Sequence, residues 1–178
     1  DPRTVESLVK AGFDILTLAN NHMMDYGPIA LEDTLAALDN AGIARTGAGK
    51  NLNEARRAAI LTAPDGTKFA FLAYSLTFPE IFWANSTRPG TAYGNPSFFV
   101  PDIKQAKTQA DHVIVSFHWG KELHNFPTDY QKNYGRLAID SGASVVLGHH
   151  PHVLQGIEVY KGGLIAYSLG NYVFGSYS

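Results

Sequence analysis

The chain has 178 residues, 45% of them apolar and 17% charged, with a formal charge of −2, which fits one globular α/β domain with a sizeable core. It has no cysteine, so disulfides and thiolate metal sites are excluded and any metal must be held by His, Asn, Asp or Glu. Lys and Arg are scattered rather than gathered into the basic patch of a nucleic-acid surface, and no apolar run is long enough to span a membrane.

In chain order, Pro2 to Lys10 reads as a helix with Asp1 as N-cap and Gly12 as its stop. Phe13 to Ala19 is an apolar run expected to be a strand covered on both faces. Pro28 to Ala41 has helical spacing through Ile29, Leu31, Leu35 and Leu38, ended by Gly42. Arg57 to Thr62 and Lys68 to Tyr74 flank the turn chemistry of Pro64-Asp65-Gly66-Thr67 and predict a β-hairpin. Leu76 to Phe99, rich in prolines and aromatics, reads as a long ordered loop. A helix over Pro101 to Ala110 leads into a buried strand, His112 to Phe117; a helix over Tyr130 to Ser141 leads into another, Ala143 to Leu147. Gly156 to Tyr160 and Leu164 to Ser168 form a second hairpin around Lys161-Gly162-Gly163. Without repeats or linkers, residues 1–178 read as a single domain of parallel strands fed by helices.

The chemistry gathers where the three apolar strands end. Asn20-Asn21-His22 and Asp25 follow the first, His118-Trp119-Gly120-Lys121-Glu122 the second, and Gly148-His149-His150-Pro151-His152 the third. Ligands in an open α/β sheet collect outside the carboxyl ends of its strands, so parallel strands would aim these side chains into one crevice. Each cluster has a plainer reading: Asn-Asn-His as a turn with an αL-tolerant Asn, and a lone strand-end His118 as a satisfied polar residue. Three imidazoles within four residues carry a desolvation and crowding cost that a bound cation would offset. His150 and His152, two apart, would share one side of an extended segment. Neutral imidazole is a common metal ligand, and two metals could clamp a phosphoryl group and activate water. His22 is the candidate to protonate the leaving oxygen, with Asp25 orienting its ring.

These blocks, with Asp25-Tyr26-Gly27, Thr46-Gly47-Ala48-Gly49, Phe71-Leu72-Ala73-Tyr74, Ser116-Phe117-His118-Trp119-Gly120, the run from Gly148 to Gly156, and Tyr167-Ser168-Leu169-Gly170-Asn171, resemble the CapA/PgsA-type poly-γ-glutamate capsule-synthesis family. That family is a branch of the calcineurin-like metallophosphoesterases. The resemblance covers essentially the whole chain. It implies a metallophosphoesterase-like layered α/β sandwich whose N-terminal strands, with their acidic ligands, precede residue 1; the chain would be the C-terminal two-thirds to three-quarters of the domain.

It further implies metal ligation by Asn21, His118, His150 and His152, and a catalytic role for His22. His149 stands where many superfamily members have glycine, so it reads as supporting the ligands or facing substrate. Glu122 and Asn171 match family blocks with no derived role. The implied cofactors are two divalent ions (Mn, Zn or Fe) in the complete domain. The implied substrate is a phosphoester or the anionic polymer poly-γ-glutamate. The implied setting is the bacterial surface, with capsule-synthesis partners, anchored to the membrane through an upstream segment. Hydrolysis of γ-glutamyl amides and a non-catalytic, polymer-binding accessory role are the competing readings, the latter using Phe78, Phe82, Trp83, Tyr93, Phe98 and Phe99. The chain alone is expected to bind metal poorly, to lack hydrolytic activity and to expose a sheet edge.

Overall fold

The structure is a computed structural model and describes residues 2–173. A short 3-10 turn over Pro2–Thr4 runs into helix α1 (Val5–Ala11), which Gly12 ends in the left-handed conformation. Asp1, the expected N-cap, lies outside the described residues.

Strand β1 (Ile15–Thr17) is shorter than the apolar run that predicted it and is only half covered. The reason lies in its pairing. Its one partner among the described residues is the parallel strand β2 (Ala44–Thr46), in a two-stranded sheet of its own. β1 is therefore not part of the main sheet. Between them lies helix α2 (Gly27–Asn40). Its Leu31, Leu35 and Leu38 are buried with Leu18, Met24 and Ile43 in a small core. Ile29, expected on the same face, is exposed, because it lies on the opposite side of the first turn. Gly42 ends this helix segment at φ 72°.

The short strand β3 (Ala48–Gly49) pairs antiparallel with β6 (Gly90–Thr91), and helix α3 (Leu52–Ala55) is capped by the Asn51 side chain. The main sheet begins with the hairpin β4 (Ala59–Thr62) and β5 (Lys68–Ser75), as the turn chemistry predicted. Helix α4 (Pro96–Lys107) starts five residues before the expected Pro101. Asn95 supplies the cap, its Oδ1 accepting the Ser97 amide, and Pro96 opens the first turn. Pro101 sits inside the helix instead. Strand β7 (His112–His118), helix α5 (Asp129–Asp140), strand β8 (Val145–His149) and the hairpin β9 (Ile157–Tyr160) and β10 (Gly163–Ala166) complete the fold. A Thr128/Gln131 capping box starts α5.

The six strands lie in the order β4-β5-β7-β8-β10-β9. The inner four are parallel and the two outer ones antiparallel to their neighbours. One face is buried under α4 and α5, where Val113, Val115, Phe117, Val146 and Ile165 meet Phe99, Ile103, Ala138 and Ile139. The row Phe71, Ile114, Val145, Leu164, Val159 belongs to the other face. At its β9 end that face is open, with Val159 77% exposed.

The two sheets meet at Gly47. A Cβ there would lie 2.7 Å from Ala73 Cβ and 2.8 Å from Ala19 Cβ, and its φ is +92°. Both crowding and conformation therefore demand glycine. Replacing Gly47 by Ala is expected to lower stability by about 2 kcal/mol or more, read as a fall in the urea midpoint; an unchanged midpoint would contradict this docking.

Candidate metal centre

The turn after β1 divides its work between two asparagines. Asn20 Oδ1 accepts the His22 amide at 2.8 Å, which shapes the turn. Asn21 points the other way, to the end of β7, where its Oδ1 accepts from His118 Nε2 at 2.8 Å. Its Nδ2 lies 3.3 Å from His22 Nε2, and His22 Nδ1 lies 2.8 Å from Asp25 Oδ2. A continuous polar chain thus runs Asp25–His22–Asn21–His118. The carboxylate holds the His22 ring with its proton on Nδ1, so that Nε2 carries the lone pair.

His118 and His149 sit side by side at the ends of β7 and β8, in register and on one face of the sheet. After β8 the chain turns sharply. His150 and His152 adopt φ of 96° and 59°, so they are not in the extended segment the sequence predicted. They converge through a left-handed turn instead: the His150 ring lies 4.8 Å from that of His118 and 6.2 Å from that of His152, centroid to centroid. Asn171 receives a place here: its Oδ1 lies 2.8 Å from His152 Nδ1. Glu122 joins too, since its carboxylate and ligand nitrogens of His150 and His152 lie within 4.8 Å of one another.

The backbone of this turn is held from beneath. Trp119 Nε1 donates to Tyr167 O at 2.9 Å across Gly148, and a Cβ at Gly148 would fall 1.9 Å from that carbonyl oxygen. Buried Gln131 donates to Gln155 Oε1 at 3.1 Å, and Gln155 donates to His124 O at 2.7 Å, fixing the loop that carries Glu122. These supports were not singled out from the sequence. The Thr128-x-x-Gln131 pattern was the available signal for one of them.

Burial favours the neutral form of His118, His149 and His150. His118 is lowered to about 3, first by desolvation and then by the neighbouring histidines His150, His149, His152 and His22. His149 is lowered by burial, and His150 by burial against an opposing pull from Glu122. His150 Nδ1 is also shut off from solvent with no hydrogen-bond partner, an arrangement that costs free energy in a metal-free protein. Neutral imidazoles, an Asn carbonyl, a nearby carboxylate and an orphaned ring nitrogen fit a divalent first-row cation. Such an ion, when bound, polarises a phosphoryl or carbonyl oxygen and lowers the pKa of a bound water. Asn21, His118, His150 and His152 are the residues that would hold it; His22 would stand beside it to exchange a proton with substrate.

A family model for bacterial capsule synthesis protein PGA_cap matches residues 1–176. The chain is 40% identical over 171 residues to the PGA biosynthesis protein CapA of Bacillus subtilis, covering 96% of this chain and 45% of that protein. It is 39% identical to the capsule biosynthesis protein CapA of Bacillus anthracis, covering 96% of this chain and 42% of that one. A candidate polyglutamine synthesis accessory protein of Mycobacterium tuberculosis is 33% identical, with 97% of this chain and 48% of its own length covered. The chain thus spans less than half the length of these relatives. Among solved structures, a Staphylococcus aureus candidate 5'-nucleotidase in complex with alpha-ketoglutarate aligns with TM-score 0.65 at 21% identity, covering 94% of this chain and 34% of that one. The NAD nucleotidase of Haemophilus influenzae aligns with TM-score 0.58 at 16% identity, covering 87% and 30%. The likeness to these nucleotidases establishes the α/β calcineurin-like fold.

Two outcomes follow from the geometry. Unfolded His118 takes up a proton near its ordinary 6.5, whereas the folded one does so only near 3. This contribution to the stability of the metal-free chain is therefore fully present above pH 6.5 and falls by roughly 3 kcal/mol on acidification to pH 4.5. His118→Gln should flatten that slope in thermal melts at graded pH. His150→Asn replaces a strained, unpartnered residue with one that tolerates left-handed φ. It should leave the melting temperature of the metal-free chain unchanged or higher while weakening metal binding by titration calorimetry; a large fall in melting temperature would show that His150 is held for packing.

Proposed function

The chain belongs to the bacterial capsule synthesis protein family PGA_cap, and from that membership and the geometry of its site we propose that it is the metal-holding part of a phosphoesterase-like enzyme serving poly-γ-glutamate capsule synthesis or export at the bacterial surface. The observation that carries the reading is the meeting of Asn21, from one sheet, with His118, from the other, 2.8 Å apart and beside the oriented His22–Asp25 pair. In this reading Asn21, His118, His150 and His152 bind one or two divalent ions. Asn171 fixes the ring of His152, and His149 faces substrate from the row it shares with His118. His22, after taking a second proton at Nε2, gives that proton to the leaving oxygen of a phosphoester. The substrate is anionic, either the polymer or a phosphoester, and the rest of the protein supplies attachment to the membrane and to capsule-synthesis partners. Among the described residues no helix is long and apolar enough to cross a membrane.

A non-catalytic, polymer-binding role is favoured by a different observation. In the segment after β5, Phe78 and Ile81 are 71% and 59% exposed, and Trp83 stacks on Tyr93 with centroids 3.8 Å apart. Phe99, by contrast, is wholly buried in the main core, so it leaves that contact surface.

The two readings separate in the full-length protein. Elemental analysis should find bound metal, and a phosphodiester such as bis-p-nitrophenyl phosphate should turn over. His22→Ala should lower kcat by about 100-fold or more with metal content unchanged. Retention of poly-γ-glutamate without turnover of any phosphodiester would sink the enzymatic reading in favour of the accessory one; release of glutamate from the polymer would redirect it to amide hydrolysis.

A further inference from the structure

Two turns from distant parts of the chain are tied together at the edge of the pocket. Leu123 N donates to Pro151 O at 2.8 Å, so the residue between the two histidines is paired with the residue after Glu122. The Glu122 loop is fixed again on its far side, where Gln155 Nε2 donates to His124 O at 2.7 Å and to Phe126 O at 3.3 Å. Its near side is held by the Gly120 amide donating to Tyr130 Oη. An exposed glutamate on a free loop would sample many positions; this one is held beside His150 and His152 by backbone bonds on either side. Its carboxylate makes no salt bridge among the described residues.

We propose that Glu122 is a metal ligand: with His150 and His152 it forms a complete site for a single divalent first-row cation within this chain. The inference rests on the metal reading of the same pocket, and it departs from the expectation that the chain alone binds metal poorly. The donor set is chemically sufficient. Two imidazoles and one carboxylate are a set that holds zinc, and also ferrous iron, with positions left over for water or substrate. Ligand atoms on one such ion, at about 2.0–2.2 Å each, lie no more than about 4.4 Å apart. The three groups here lie within 4.8 Å, close enough that small side-chain rotations would bring them onto one ion.

The imidazoles are prepared for the role. The contact of His152 Nδ1 with Asn171 Oδ1 requires the proton on Nδ1 and so puts the lone pair on Nε2, the arrangement seen when a carbonyl orients a metal-bound histidine. The buried Nδ1 of His150 has no partner. His118 Nε2, by contrast, is already engaged with Asn21 Oδ1.

The test is titration calorimetry of the chain with Zn2+ and, separately, Mn2+, on the wild type and on Glu122→Gln and His150→Ala. Circular dichroism would confirm that each variant is folded. The expected result is one equivalent bound by the wild type and a fall in affinity of at least about tenfold in Glu122→Gln, since even groups that merely orient a ligand are worth that much. Equal affinity in Glu122→Gln, with binding lost in His150→Ala, overturns the role of Glu122 and leaves the metal pocket intact. Absence of binding by the wild-type chain overturns the self-contained site, whereas the metal content of the full-length protein judges the wider reading independently.

Discussion

Everything in the pocket depends on how closely two sheets approach. Asn21 belongs to the turn after β1, in the two-stranded sheet, and His118 to the end of β7 in the six-stranded one. Their 2.8 Å contact requires that nothing larger than hydrogen project from Gly47 toward Ala19 and Ala73. The alanines on either side, rather than larger apolar residues, serve the same closeness. Further bonds reinforce the seam: Gly47 N donates to Ala55 O and Gly47 O accepts from Ala92 N, so the glycine peptide is satisfied on both sides while it acts as a spacer.

The second concentration of constraint is the turn after β8. Two histidines in left-handed backbone, a ring nitrogen buried without a partner and a glycine pressed against the Tyr167 carbonyl all fall within five residues. Packing alone gives no reason to keep such an arrangement, since each of these features costs free energy in isolation. They are maintained by strong surroundings: β8 is flanked by parallel strands on both sides, and Trp119, fully buried, spans the gap to Tyr167. Strain held by a rigid frame is what preorganised donors require, because ligands already in place need no further ordering when they bind.

Much of this was legible in the sequence. Both hairpins announced themselves through Asp65-Gly66 and Gly162-Gly163 flanked by alternating residues, and β7 and β8 through unbroken apolar runs. The apolar run of β1 misled, because the same composition serves a strand buried in a large sheet and one tucked beside a small one; composition reports burial of some kind, not the partner. Helix α4 was misplaced because Pro101 looked like a start signal, while the stronger signal, Asn95 capping ahead of Pro96, was read as loop. The donors themselves were visible as residue types at strand ends. What could not be read was the mechanism of their convergence. Alternation would have brought His150 and His152 to one side of a strand, and the chain achieves a similar result with positive φ, which histidine gives no sign of adopting. Asn171 and Glu122 gained roles only through distance, since neither is near its partners in sequence.

The order of strands carries a consequence for how the molecule assembles. At each end of the main sheet is a hairpin, β4–β5 and β9–β10, whose pairing is local. The inner parallel pairings must wait for longer connections to cross over, through α4 for β5–β7 and α5 for β7–β8, and closing a larger loop costs more chain entropy. The contact between Asn21 and His118 spans 97 residues, beyond the reach of any hairpin. The flanks are thus the least costly parts of the sheet to form, and the pocket among the most costly. A chain caught partway, with both hairpins closed, would still have no site, so possession of the pocket is itself the mark of a finished molecule.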